Sequence, residues 1–265
     1  MPAELLKPRL DLPQVTLVAA SSIALPATLR AMRESMQQIR FGGAILFSDR
    51  LPEGETLDGI EWRRIAPLRS RRAYSEFFLR HLHAHVTTSH VLCVQWDGYV
   101  LDASHWRADF LGYDYIGAPW PHFDQGGSVG NGGFSLRSRR LLEACRDLDL
   151  APGEAEDIAI CRTHRAFLEC ERGIRFAPEE AARLFAYERH SPTGQEFGFH
   201  GAFNLARILP ARMLRSILVE LEPQVMARTE HRELLGWAVR NGRWSIVGQL
   251  VKRMWRRGQL RGEVR

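Results

Sequence analysis

The 265-residue chain is 45% hydrophobic and 25% charged, the balance of a folded protein with one large core, or of a domain plus an appendage. No apolar run reaches bilayer-spanning length, and the N-terminal residues lack the basic-then-apolar order of a secretory leader, so a cytoplasmic protein is expected. The formal charge of +5 suits a nucleoside diphosphate or an anionic membrane surface. The basic residues are not interleaved with aromatics along one groove-sized element, which argues against nucleic acid.

The elements alternate along the chain. Residues 1–13 read as a lead-in, and Gln14–Ala20 as a first strand. Pro26–Gln38 is a helix with proline where a missing N–H does no harm. Gly43–Phe47 and Glu61–Ile65 are short strands, and Tyr74–Val86 has helical spacing of Phe77, Phe78, Leu82 and Val86. The apolar run Val91–Val94 then reads as a strand buried on both faces. This alternation predicts an α/β fold, with a mostly parallel sheet flanked by helices.

Beyond Asp102 the texture changes. Trp106–Leu111 reads as a short helix, and Tyr113–Trp120 as a strand running into an aromatic loop. Gln125–Arg137 is glycine-dense, then strand-like. Ser138–Leu148 and Ile158–Phe167 are helix candidates, with Ile174–Pro178 and Leu184–Glu188 as short strands. From residue 211 the pattern is helical only. Leu214, Ile217, Leu218 and Leu221 share one face, and further helices are expected at Pro223–Arg240 and Trp244–Arg256. The expected organisation is a lead-in (1–13), an α/β domain (14–210) and a basic helical extension (211–265).

Four places could carry chemistry. The central strand stops at Gln95-Trp-Asp97-Gly98, where ligands bind in open α/β sheets. A carboxylate there either serves a site or starts an Asp-Gly turn. The run Gly130-Asn-Gly-Gly-Phe-Ser-Leu-Arg137 lets backbone approach a ligand or turn a corner, and it matches no phosphate-loop pattern. Glu156-Asp157 opens a helix, where the dipole favours acids, and it also supplies a candidate general base. His200, between Phe199 and Gly201, is a core residue or a metal ligand. His81 and His85 share a helix face without the glutamate of a zinc motif, and read as solvated. The four cysteines form no C-x-x-C pair, and read as thiols rather than as zinc ligands or disulfides.

The order Gln95-Trp-Asp-Gly98, Tyr115-Ile-Gly-Ala-Pro-Trp120, Gly130–Arg137, Glu156-Asp157 and Phe197-Gly-Phe-His-Gly201 resembles a bacterial family catalogued as a domain of unknown function. That family is grouped with the GT-A-type glycosyltransferases, and the likeness spans roughly Val15–Asn204. It implies a GT-A-like fold and transfer of a sugar from a nucleoside diphosphate sugar, UDP-linked above all, to a hydroxyl of a glycan or lipid-linked acceptor. Gln95, Asp97 and Gly98 would bind the donor. Trp120, Asn131, Gly132, Gly133 and Phe134 would form the donor and acceptor pocket, although core packing accounts for Trp120 and Phe134 equally well. Mn²⁺ or Mg²⁺ would sit on Asp97 and His200, with Gln95 replacing the first acid of the Asp-x-Asp motif. Asp157, rather than Glu156, would be the base of an inverting transfer, as the N-cap of a helix from Ile158, while Glu156 points to solvent.

Two other readings use the same scaffold: a nucleotidyl- or phosphotransferase, and a binding module without catalysis. Residues 211–265 carry twelve basic and five acidic residues, a net +7. Trp244, Ile246, Val247, Leu250, Val251, Met254 and Trp255 interleave with the last basic cluster. This extension packs on its own domain, docks a partner enzyme, or lies peripherally on the inner membrane face.

Overall fold

The computed structural model describes residues 8–51, 54–123, 128–222 and 225–262, with side chains of the last helix described to residue 256. The expected proline signals at 52 and 223, most of the lead-in and Gln125–Gly127 lie outside these residues. The first strand starts earlier than its apolar run suggests. β1 spans Leu10–Ala20, so Leu10–Pro13 belong to the sheet. α1 (Leu25–Gln38) leads without a loop into β2 (Ile39–Ser48), which pairs parallel with β1 from Leu10↔Ile39 to Ala20↔Phe47. β3 (Glu61–Arg64) continues the sheet beside β2. α2 (Arg71–Glu76) runs on through a π turn (Phe77–His81) and a 3-10 turn (Leu82–His85). Because the winding changes there, His81 and His85 are not one α-helical turn apart. His85 stacks on Phe77 and faces Arg63 instead.

β4 (His90–Val94) is wholly buried and joins β1 on the side opposite β2. After two 3-10 turns at Ala103–His105 and Ala108–Gly112 come β5 (Tyr115–Gly117) and β6 (Phe134–Ser138). The sheet order is β3-β2-β1-β4-β6-β5, with β6 antiparallel to both neighbours. The chain therefore leaves β1 to one side for β2 and β3, and to the other for β4. That reversal is a topological switch point, and it opens a crevice at the carboxyl ends of β1 and β4. Because β6 runs the other way, its first residue, Phe134, pairs with Val94. This register brings the glycine loop before β6 to the same edge as Gln95–Gly98.

The remaining elements wrap this edge. α3 (Arg139–Ala144) follows β6, and α4 (Glu156–Ile158) runs through a π turn into α5 (Arg165–Arg172). Ile174–Pro178 forms only a single bridge, Tyr115↔Phe176, and Leu184 and Phe185 end α6 (Glu179–Phe185) rather than entering a strand. Only β7 (Ala186–Tyr187) is extended there, paired with β8 (Gly198–Phe199). α7 (Leu205–Ile208), α8 (Ala211–Glu220), α9 (Arg228–Arg240) and α10 (Trp244–Gly262) complete the chain.

The helical extension folds onto the sheet domain. Leu214, Ile217, Leu218 and Leu221 are buried, as their spacing predicts, in one cluster with the α1 cap Ala24, with Ala27 and Ala31 of α1, and with Trp96, Tyr99 and Phe199. The Arg253 guanidinium donates to the carbonyls of Leu218 and Glu222, satisfying the carboxyl end of α8. No helix among the described residues is long and apolar enough to cross a membrane.

Candidate active site

The switch point holds a cavity of about 250 Å³. Ser21 and Ser22 reach it from the end of β1, Gln95 and Trp96 from the end of β4, and Arg69, Arg71 and Tyr74 from the entry to α2. The wall is stitched locally, since the Leu68 N–H donates to Ser22 Oγ at 2.8 Å and holds the arginine segment against β1. Val225, from the extension, closes one side. Sequence reasoning missed Ser21, Ser22, Arg69, Arg71 and Tyr74. The run Arg69-Ser-Arg-Arg72 was the available signal.

Behind Gln95 lies a charged centre. Gln95 and Gly98 exchange two backbone hydrogen bonds at 3.1 Å, so Asp97 does sit in a turn. It is also only 4% exposed, and its Oδ1 accepts no hydrogen bond. His200 Nε2 stands 3.6 Å from that oxygen and 3.3 Å from Gln95 Oε1. On the other side of the ring, Nδ1 faces Glu188 Oε1 at 3.2 Å and Asn131 Nδ2 at 3.1 Å. The small parallel pair explains this meeting: Tyr187 and Phe199 are in register, and Glu188 and His200 follow them.

Burial opposes a charge on His200, but Asp97 and Glu188 together outweigh it and lift the imidazole pKa to about 9. Burial pushes the Asp97 carboxyl up against the pull of His200. For Glu188 the balance reverses, and the His200 hydrogen bond and charge hold it below its usual value despite burial. Glu230, at the start of α9, is pushed up by burial and then by the Asp97 charge, so the extension reaches this centre electrostatically.

The glycines are set by protein rather than by an open pocket. A methyl at Gly130 would stand 2.2 Å from the Trp120 ring, and one at Gly133 would stand 2.0 Å from His200 Nε2. At Gly98 it would press His200 at 2.9 Å. Asn131 takes a left-handed backbone (φ 70°), and its Oδ1 accepts the Gly133 N–H. For Phe134 a sugar-facing ring and core packing were equally open. It is fully buried among core residues, with its ring packed against Phe185 and Phe197. Trp120 is also buried, covered by Gly130 and Phe123.

The acidic pair divides. Contrary to expectation, Glu156 does not point to solvent. It is buried, and its Oε1 accepts from Arg137 Nη2 at 3.1 Å. Arg137 is itself fully buried, with its guanidinium between the rings of Phe78 and Tyr115. Burial, then the Asp157 charge, push the Glu156 carboxyl up against the pull of Arg137. The helix starts at Glu156 and is preceded by Ala155 as cap, two residues earlier than expected, so Asp157 lies in the first turn. Asp157 is half-buried and reaches the glycine loop, where its Oδ2 accepts the Gly132 N–H at 2.9 Å.

A divalent cation on Asp97 and His200 would have to displace polar contacts of the ring, since both imidazole nitrogens face partners while Asp97 Oδ1 has no hydrogen bond. Among the described residues, no group of three or more His, Cys, Asp or Glu side chains is arranged to hold a metal ion.

The fold and the edge thus define an α/β protein with a cavity at a switch point and a buried charged centre behind it. The chain belongs to the family described as a protein of unknown function (DUF5672), whose model matches residues 60–200. No curated protein matches it. Solved structures of the glycosyltransferase GlyE from Streptococcus pneumoniae TIGR4 are similar at 14% identity and a TM-score of 0.44, in an apo form and in a second structure. The match covers 70% of this chain and 53–54% of theirs, so the chain aligns to about half the length of those enzymes.

Proposed function

We propose that the protein is a glycosyltransferase of GT-A-like architecture. It takes a sugar from a nucleoside diphosphate sugar, a UDP-sugar foremost, and passes it to a hydroxyl of a glycan or lipid-linked acceptor. The observation that carries this reading is a continuous polar path from the cavity to the acidic pair. Gln95 donates to the Tyr74 hydroxyl at 2.8 Å and faces His200, which faces Asn131, and the loop of Asn131 ends on Asp157 through the Gly132 N–H. Gln95–Gly98, Gly130–Arg137, Glu156-Asp157 and His200, from four of the five motifs that carry the family resemblance, fall along this path.

Each residue then has a chemical task. Arg69 and Arg71 are cations in a cavity otherwise lined by hydroxyls, an amide and apolar groups, and they suit the two phosphates of the donor. Gln95 couples the cavity to the buried His200–Asp97–Glu188 centre. Asp157, whose two oxygens accept the Gly132 and Ile158 N–H groups, takes the acceptor hydroxyl's proton as the hydroxyl oxygen attacks the sugar's anomeric carbon. The nucleoside diphosphate leaves with the electrons of the broken bond. Glu156 is committed to Arg137 and keeps the helix start in place.

A product assay with donor labelled in the sugar and in the nucleotide tests this. Transfer or release of the sugar together with free nucleoside diphosphate is expected. Appearance of the nucleotide on the acceptor would make the protein a nucleotidyltransferase. No turnover, together with no nucleotide-induced rise in melting temperature, would leave a binding module for some other ligand.

A further inference from the structure

The last helix has two unlike faces. Ile246 and Leu250 are fully buried against α8 and α9, and Arg253 is buried on the same side. Trp244 and Trp255 are 67% and 65% exposed, with Val251 and Met254 exposed beside them. Trp244, Val251 and Trp255 are seven and four residues apart, near whole turns of an α-helix, so the three share one stripe. Lys252 and Arg256 are exposed and border that stripe. Residues 211–265 together carry a net +7 while the rest of the chain is slightly acidic.

We propose that this outward face of α10 is a docking surface for an anionic membrane. Two exposed indoles on one face of this helix suit the boundary between headgroups and acyl chains, where their ring and N–H are both satisfied. Cations beside the apolar stripe meet lipid phosphates as the indoles enter. The helix would lie in the interface rather than cross it, in line with its modest hydrophobicity. The charge selects this occupant over an apolar protein groove, since a stripe rimmed by cations at high local density attracts an anionic surface. The inference is independent of what the switch-point cavity binds.

Flotation of the full-length protein with vesicles of phosphatidylcholine, and of phosphatidylcholine mixed with phosphatidylglycerol, tests it. Binding to the mixed vesicles alone, weakened by salt, is expected. The pairs Trp244→Ala with Trp255→Ala, and Lys252→Glu with Arg256→Glu, should each lower that binding about tenfold or more. Because all four side chains are exposed, the melting temperature should hold, and it is measured alongside. Equal or negligible binding by the wild type and both variants would overturn the proposal. So would a wild-type dimer in sedimentation that the tryptophan pair converts to monomer, since a second copy would then cover the face.

Discussion

Two buried charged centres flank the glycine loop, and they are built to different ends. Arg137 and Glu156 pair directly at 3.1 Å, with aromatic rings on either side of the guanidinium. Asp97, His200 and Glu188 share one ring between two carboxylates, and Asp97 keeps an oxygen with no hydrogen bond. The first centre likewise keeps Arg137 Nη1 without a hydrogen bond, but the second connects through Gln95 to a cavity. The contrast shows that burial of charge alone does not identify a site. What separates the two is the connection to a cavity, which makes the second the open centre and the first the closed one.

The largest expected effect falls on the closed centre. Glu156→Ala leaves the Arg137 charge buried without its carboxylate and should cost about 3–5 kcal/mol in urea unfolding. A loss under about 1 kcal/mol would mean that water reaches Arg137 and that the pair is not structural. Asp157→Asn keeps an oxygen for the Gly132 N–H and gives up the local bond from the Ile158 N–H, so the fold should survive. Turnover should drop about a hundredfold or more with donor affinity unchanged. Near-normal turnover would remove Asp157 from the chemistry and blur the division between the paired acids.

Smaller effects sharpen the open centre. Gly133→Ala drives a methyl into His200 and should cost about 1–3 kcal/mol, because the ring is held on both edges and cannot yield. Added chelator should leave nucleotide binding and turnover unchanged, since His200 already occupies the place beside Asp97. A requirement for Mn²⁺ would show that the centre rearranges around a cation.

Much of this was legible in the sequence where one element decides the outcome. The apolar run into Asp97 marks β4 and its end, and the 214/217/218/221 spacing marks the buried face of α8. What was hidden depends on contacts between distant segments. The division of Glu156 from Asp157 is set by Arg137, whose position follows from the antiparallel β6 register. Glu188 gains its meaning only through the two-residue pairing of β7 with β8. Phe134 reads as a ligand-facing aromatic beside glycines, but those glycines make room for Trp120 and His200. The strand expected over Leu184–Glu188 is shortened to Ala186–Tyr187 because its first two residues finish α6. The cavity wall joins Ser22 to Leu68 across 46 residues, beyond the reach of any local pattern.

The account stands most directly on the cavity at the switch point. Calorimetric titration of the wild type and of Arg71→Ala with nucleoside diphosphate sugars, without added metal, tests it. A charge-assisted contact of about 1.5–3 kcal/mol predicts saturable wild-type binding that weakens tenfold or more in the variant, with the melting temperature of the free protein unchanged. Equal affinity in the two proteins, or no binding of any nucleoside diphosphate sugar to the wild type, would contradict the assignment of this cavity to the donor.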